Sequence, residues 1–581
     1  MKTYKEEIAD LLAPHVGLPT QEIHDVLTLP QHDGQGDFSF PCFALAKKRR
    51  KGPPVIAQEL AGIIKPVGAF VKIEALGGYL NFFVDPVDFA RRTLTTISEK
   101  GSRYGESNRG QGQTVVIDYS SPNMGKELAF HHLRGTMIGN SLSRLYARAG
   151  YKVVRINHLG DWGTSYGKLI VMFLREGLKE ADLAGMTIER LNALYKSFES
   201  ASKEEATLED QARDAFQRLE AGDARFQGLW QAFKDITQKE LQRIYAMLVV
   251  EFDHYTGEAF FVAHMPKTMA DLEAKGLVTK SQGAEIVDLT KHNLPPALLR
   301  KTDGATLYIT RDIAAAIYRK TTYGFDRCLY IVDNGQSLHF QQLNKVLELM
   351  GFPWHKDVEH IPFGLVLIKG EDGGWEKGKT RSGQTSLLKD VITGAQEKIL
   401  GIIQEKNPDA KDKEALALQI GVGALVFSEL KNRRLNDIRF EWDKALSFEG
   451  DSGPYVQNAH VRLCSILRKS AERFGRSTPD HPAVAGIAGI DFSKFPEPQA
   501  QALIRSLSLF PDKIGTAIDA NDPIAVAQYA LELAEGTHSF LHVCRALGSP
   551  EEKERLFLVD CTRIALGQAL ELIGVPAIEH M

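Results

Sequence analysis

Two histidines, a lysine and an asparagine crowd one short segment, Ser120-Ser121-Pro122-Asn123-Met124-Gly125-Lys126-Glu127-Leu128-Ala129-Phe130-His131-His132. Ammonium and imidazole groups are donors suited to an anion. The segment follows an apolar strand pattern over 115–119 and leads into a helical pattern over 133–149. A helix N-terminus adds unpaired backbone N–H groups and the positive end of its dipole, which favours phosphate. Alone, His131-His132 reads more readily as two surface residues of a βα turn, because short motifs match by chance. The next stretch changes that reading. A strand pattern over 153–157 is followed by His158-Leu159-Gly160-Asp161-Trp162-Gly163-Thr164. Strand, helix, strand predicts a right-handed parallel βαβ unit, whose ligands bind at the carboxyl ends of the strands. Both polar loops, 120–132 and 157–164, then share that edge and predict a nucleotide pocket.

A second group of residues suits a different ligand. The run 307–310 predicts a strand that breaks at Thr310, with a helix beginning near Asp312. This places Tyr308 and Asp312 at a strand–helix edge. Asp at a helix start is commonly a cap. The chemical alternative is recognition of a guanidinium, which is planar, permanently charged and best held by carboxylates and planar acceptors. Gln336 follows another strand pattern, Tyr330-Ile331-Val332. Glu258, after Gly257, reads by itself as a turn residue.

A third group is cationic. A predicted strand over 363–368 precedes Gly373-Gly374-Trp375-Glu376-Lys377-Gly378-Lys379-Thr380-Arg381-Ser382-Gly383-Gln384. Alone this is a solvated, charged loop. It also satisfies G-x-x-x-x-G-K-T from Gly373 to Thr380, the phosphate loop of NTP hydrolases and kinases. The charged spacer over 369–372 and Gly383, inside what should be the first helical turn, oppose that alternative.

Other elements must hold these groups. Residues 171–250 read as charged helices, with Trp230, Phe233, Thr237, Leu241, Ile244 and Leu248 forming an amphipathic stripe. The stripe predicts core packing and is assigned no chemistry. Residues 1–106 read as a separate α/β module with the basic run Lys47-Lys48-Arg49-Arg50-Lys51, a helix start at Pro53-Pro54 and a strand over 78–84. Residues 392–581 read as helices. One of these carries Val456, Ala459, Leu463 and Ile466 on one face, with His460 and Arg462 off it.

The three groups and their order resemble class I arginyl-tRNA synthetases. In that family Ser-Pro-Asn and a lysine precede His-x-Gly-His, and His158 to Thr164 matches the next landmark. Here Ala129-Phe130-His131-His132 keeps the second histidine, while Ala129 replaces the first and His131 the glycine. His131 is expected to replace the missing histidine in part. Lys377, Thr380 and Arg381 match a variant of the family's mobile Lys-Met-Ser-Lys-Ser loop, and Lys126 stands where members lacking its second lysine often place one. The resemblance implies an α/β, Rossmann-type nucleotide-binding catalytic domain (107–391) with a mainly helical insertion (171–250). It also implies an N-terminal tRNA-contacting module (1–106) and an α-helical anticodon-binding bundle (392–581), the latter from Gly453-Pro454-Tyr455 followed by Gln457, His460 and Arg462. Lys126, His131, His132, Lys377, Thr380 and Arg381 would serve the ATP phosphates. Asn123, Glu258, Tyr308, Asp312 and Gln336 would hold arginine. The implied reaction is ATP-dependent formation of arginyl-adenylate and transfer to the 3′ end of the arginine tRNA. Mg²⁺ would accompany ATP as substrate, and tRNA would be needed even for the first step. Ala129 and Gly378-Lys379 motivate an alternative, a tRNA-binding paralogue without catalysis.

Composition sets the remaining bounds. A chain of 581 residues can bury several cores, and 43% hydrophobic with 25% charged residues is an ordinary soluble composition. A net charge of −4 places any nucleic-acid affinity in local basic patches. Five cysteines without a C-x-x-C pair argue against a disulfide framework or structural zinc and for a reducing compartment. A charged N-terminus without an apolar run and the lack of a bilayer-length apolar stretch predict neither a signal peptide nor a membrane span. A cytoplasmic monomer is the expectation.

Overall fold

The computed structural model describes all residues except 1, 31–33, 301–307, 370–373, 378–385 and 474–480. The chain divides into two compact units. The larger comprises Ser102–Lys469, Leu509–His538 and Thr562–Met581. Its centre is a parallel sheet of β1 (Thr114–Asp118), β2 (Lys152–Ile156), β3 (Arg327–Asp333) and β4 (Val358–Phe363), in the order β4-β3-β1-β2. β1 is buried at every position, as a central strand covered on both faces must be. Helix α1 (His132–Arg148) connects β1 to β2, so the predicted βαβ unit is present. From β1 the sheet extends to β2 on one side and β3 on the other. That reversal opens a crevice at the carboxyl end of β1.

Two further helices, α2 (Tyr308–Tyr323) and α3 (Ser337–Leu349), flank β3. Val116, Ile156, Ile313, Cys328 and Leu343 pack in the core beneath them. The expected strand over 307–310 is not found: Tyr308, Ile309 and Thr310 already belong to α2, and Leu307 lies outside the described residues. Three residues with a β-branched pair do not separate the two periodicities. Ile309, Thr310 and Ile313 face inward at helical steps, and the Thr310 hydroxyl donates to the Leu299 carbonyl at 3.0 Å. Asp312 is therefore within the helix and does not start it.

The expected strand over 363–368 is two strands. β4 ends at Phe363, and Gly364 packs so closely that a Cβ there would stand 2.5 Å from the Asn436 carbonyl. The chain then re-enters a separate small sheet, where Val366–Lys369 pairs antiparallel with Trp375–Lys377 and parallel with Ile438–Arg439. Trp375, Glu376 and Lys377 thus belong to a hairpin, and the next helix among the described residues is Leu388–Lys406. A phosphate loop of the G-x-x-x-x-G-K-T kind starts its helix at the Gly-Lys-Thr, so this hairpin argues against the NTPase alternative.

Residues 164–247 are largely helical, with helices Thr164–Arg175, Ile188–Ala201, Thr207–Glu220 and Ala224–Met247. Helix Gly453–Arg473 buries Val456, Ala459 and Leu463 as expected. His460, expected off that face, is also buried: its Nδ1 bonds the Ile578 carbonyl at 2.8 Å, and burial holds its pKa below the usual histidine range. Gln457 is buried and donates to the Pro576 carbonyl at 2.9 Å, whereas Arg462 is exposed beside His538. The segment over 573–578 comes to lie on this helix, which periodicity within the helix could not reveal.

The smaller unit comprises Met1–Gly101, Ser470–Ser508 and Ser539–Cys561. Its antiparallel sheet has Tyr79–Val84 between Phe38–Pro41 and Phe70–Leu76. In the basic run, Lys48 donates to the Gly17 carbonyl at 2.7 Å and Arg49 to the His15 carbonyl. Part of that run therefore complements the C-terminus of helix Tyr4–Val16. All five cysteines are buried, and none is in a disulfide. No helix among the described residues is long and apolar enough to cross a membrane.

One ion pair anchors the parallel sheet. Arg319 of α2, 1% exposed, donates to the Asp118 carboxylate at 2.7 Å, and its guanidinium lies 4.8 Å from the Tyr330 ring centroid. Removing one partner leaves an uncompensated buried charge, whereas an apolar replacement of both can be neutral. Arg319→Met should therefore cost about 3–5 kcal/mol in urea unfolding. Asp118→Asn combined with Arg319→Met should recover most of that loss.

Candidate active site

The loop after β1 leaves the sheet through Ser120 and Ser121, both at positive φ (69° and 47°). Local bonds hold that sparsely populated backbone. The Ser121 hydroxyl donates to Asp118 at 2.7 Å and its N–H to the Asn157 side-chain oxygen at 3.1 Å. The loop then pairs with the one after β2: Gly160 N–H donates to the Pro122 carbonyl and Met124 N–H to the Gly160 carbonyl, each at 3.0 Å. The two loops predicted to share an edge are joined there, and Asn123 sits at the junction facing solvent.

On the other side, Phe130 N–H donates to the Ser386 carbonyl and Leu388 N–H to the Leu128 carbonyl, both at 2.8 Å. This bridge ties the histidine segment to the chain directly after residues 378–385. Asn123, Lys126, His131 and His132 consequently line one open cleft of about 1410 Å³ with Trp375 and Leu387. The Lys377 backbone ends the hairpin strand paired to Leu367. The Lys377 side chain, Thr380 and Arg381 lie outside the described residues.

His132 Nδ1 lies 3.0 Å from the Ala129 N–H and 3.1 Å from the Ala129 carbonyl. The backbone of Ala129 thus offers that nitrogen a donor and an acceptor, and either neutral tautomer finds a partner there. Burial, then the adjacent His131, push its pKa down to about 4, against the opposing effect of the Ala129 backbone. His132 is thus neutral near pH 7. The His131 ring lies 4.2 Å from it, centroid to centroid. The Lys126 ammonium rests over the Tyr195 ring at 3.9 Å, a cation–π contact with helix Ile188–Ala201. Glu127 takes Lys389 at 2.6 Å and the Asn192 amide at 2.9 Å, fixing the same helix to the segment after residues 378–385.

A second cluster adjoins the loop over 157–161. Glu258 N–H donates to the Leu159 carbonyl at 2.9 Å, and Ala259 N–H to the buried Asp161 carboxylate at 2.9 Å. Glu258 therefore opens a short helix, Glu258–Phe261, capped from the neighbouring loop, and is not a surface turn residue. Gly257 permits this approach: a Cβ there would stand 2.4 Å from Asp161 Oδ1. The Glu258 carboxylate takes Arg311 at 2.7 Å, and Asp312 takes His339 at 2.6 Å. Burial pushes the Glu258 carboxyl up to about 7; Arg311 opposes this, and Asp312 and Asp161 add to it. Tyr308 is 65% exposed, with the Arg311 guanidinium 5.4 Å from its ring. Gln336 is exposed at the start of α3, three residues before His339. Glu258, Tyr308 and Asp312 thus form one cluster, while Gln336 makes no hydrogen bond to it among the described residues.

Sequence reasoning missed the braces behind these loops. Thr237 takes the Gly125 N–H on its hydroxyl at 3.2 Å, Trp230 donates to the Asp161 carbonyl at 2.8 Å, and Lys234 pairs with Asp161 at 2.6 Å. Tyr245 of the same helix meets Ser120 at 2.8 Å and Asn157 at 3.0 Å. The signal was a threonine inside an apolar stripe, because a buried hydroxyl needs a partner.

Three family models match the chain. Residues 93–442 match the catalytic domain of class I tRNA synthetases (R), 456–581 the DALR anticodon binding domain, and 2–84 the arginyl tRNA synthetase N terminal domain. The chain belongs to the arginyl-tRNA synthetase family. The arginine–tRNA ligases of Alkaliphilus metalliredigens and Clostridioides difficile are each 42% identical to this synthetase chain over 584 residues, covering 100% of both partners. The solved Thermus thermophilus arginyl-tRNA synthetase superposes with a TM-score of 0.81 at 25% identity, with complete coverage of both chains. The Plasmodium falciparum arginyl-tRNA synthetase shares the fold, with a TM-score of 0.80 at 21% identity. The expected family and fold class are thereby borne out.

The junction between the two loops makes a sharp demand on this synthetase. A Cβ at Gly160 would stand 2.3 Å from the Asn123 side-chain oxygen. Gly160→Ala should lower kcat/KM for arginine on the order of a hundredfold, as misplacement of a positioning loop does. Unchanged far-UV circular dichroism with that kinetic loss is the expected pair of results.

Proposed function

We propose that this cleft forms arginyl-adenylate from arginine and ATP and passes the arginyl group to the 3′ end of the arginine tRNA. The observation that carries this reading is the double stitching of the histidine segment, on one side to the loop over 157–161 and on the other to the chain after residues 378–385. Lys126, His131, His132, Lys377, Thr380 and Arg381 are proposed to serve the ATP phosphates. Asn123, Glu258, Tyr308, Asp312 and Gln336 are proposed to hold arginine. The protein's task is to align the arginine carboxylate with the α-phosphate and to stabilise charge as pyrophosphate leaves. A neutral His132 contributes no charge, so the cations on this reading are Lys126, Lys377 and Arg381.

Among the described residues no cluster of three or more histidine, cysteine, aspartate or glutamate side chains could hold a metal. The described side chains thus do not form a Mg²⁺ cage. We propose Mg²⁺ only as a companion of the ATP phosphates, and no step is derived through it. The modules over 1–106 and 392–581 are proposed to contact tRNA, and a cytoplasmic monomer is the proposed state.

Pyrophosphate exchange into ATP tests the reading. Exchange that requires both arginine and its tRNA is the expected result; tRNA binding without exchange would establish the inactive paralogue instead. His131→Ala and His132→Ala should each lower exchange by about 10²–10³-fold, the usual loss of one transition-state donor. A harmless His131→Ala would remove His131 from the phosphate site and leave His132 alone in that role.

A further inference from the structure

The proposed arginine pocket already contains a guanidinium of its own. Arg311 of α2 donates from Nη1 to Glu258 Oε2 at 2.7 Å, and the two side chains are only 11% and 12% exposed. We propose that Arg311 is a positioning residue for arginine selection: it clamps one oxygen of Glu258 and so presents the other, ionised, to the guanidinium of the substrate. This rests on the reading that Glu258 belongs to the arginine pocket.

A carboxylate has two oxygens and about four lone-pair sites, so one resident and one incoming guanidinium can share it. No other hydrogen bond to this carboxylate comes from the described residues. Nor is the pair a self-contained bridge. The Arg311 Nε–H is buried without an acceptor, and the guanidinium lies against Tyr308, another residue proposed for the pocket.

The charges around Glu258 explain why a clamp is needed. Arg311 and Asp312 face it from α2, and Asp161 faces it from the loop after β2. Lys234 lies behind Asp161 and His339 behind Asp312. Two carboxylates and burial disfavour the ionised form, and Arg311 is the cation in direct contact. Burial, opposed by Arg311, already holds the Glu258 carboxyl near 7. Without Arg311 it would take up a proton at higher pH and lose its attraction for the substrate. The sign follows: arginine stays charged throughout, so its binding weakens as pH falls through the pKa of Glu258. Removing Arg311 moves that weakening to higher pH.

The test is tRNA-dependent pyrophosphate exchange with the full chain, with arginine varied from about pH 6 to about pH 9. Arg311→Gln, Arg311→Ala, Arg311→Lys and Glu258→Gln are compared with the parent. Arg311→Gln and Arg311→Ala should raise KM for arginine on the order of tenfold near pH 7, equivalent to about one pKa unit, with kcat and KM for ATP nearly unchanged. The defect should shrink towards pH 9, and Arg311→Lys should restore most of the parent profile. A pH-independent loss spread over arginine and ATP would make Arg311 a structural bridge and overturn the proposal. A lower KM for arginine in Arg311→Gln would make it an internal competitor and overturn it equally. If Glu258→Gln leaves KM for arginine unchanged, the pocket assignment itself fails. If Glu258→Gln raises KM while the Arg311 variants do not, only the clamp fails.

Discussion

Two backbone hydrogen bonds, from Gly160 N–H to Pro122 and from Met124 N–H to Gly160, hold the loops after β1 and β2 in register. Almost every other feature of the site is measured from that register. The Gly160 side of the junction continues through Leu159 to Glu258, so the carboxylate cluster is positioned by the same backbone that positions Asn123. The Pro122 side continues through Lys126 to His132 and α1, so the residues proposed for the phosphates inherit it as well. A bond between loops has no local sequence signature except the glycine that permits close approach. It is therefore easy to overlook and hard to replace.

The electrostatics of the cleft follow from burial as much as from charge. His132 is held neutral by burial, with its Nδ1 against the Ala129 backbone. A neutral buried imidazole needs no counter-charge, whereas a buried imidazolium would. On the proposed reading the cationic work falls to other side chains. Lys126 rests on the face of Tyr195, a contact weak enough to exchange for an anion. Glu258 is the reverse case, a carboxylate kept in a buried position beside two others. One resident guanidinium offsets its tendency to take up a proton.

The long periodic elements were legible because one face of each is buried. β1, β2 and α1 stand within one residue of their hydrophobic patterns, and β3 contains its pattern but begins three residues before it. The failures share one cause. Tyr308-Ile309-Thr310 is too short to distinguish a helix from a strand, and the deciding contact, Thr310 to Leu299, is tertiary. The break at Gly364 depends on Asn436, far along the chain. His460 is buried by the segment that reaches Ile578, not by its own helix. In each case the missing information is a long-range partner. Glu258 shows the same limit within the site: by itself it read as a turn residue and only the family resemblance made it a substrate ligand, while the fold reveals that Arg311 already holds one of its oxygens.

The helical residues between β2 and β3 are best understood through what one helix does. Ala224–Met247 sends Trp230 and Lys234 to Asp161, Thr237 to Gly125, and Tyr245 to Ser120 and Asn157. These positions span more than four turns at 3.6 residues each, so one rigid rod touches both motif loops along its length. Loops at the carboxyl edge of a parallel sheet have no neighbouring strand to satisfy their backbone and would otherwise depend on water. A helix laid across them supplies an aromatic N–H, an ammonium and two hydroxyls at fixed spacing. It also keeps the strained Ser120-Ser121 turn from relaxing. The insertion is then part of the active site in the physical sense: it touches none of the proposed phosphate ligands directly along this helix, yet it fixes the loops that carry them.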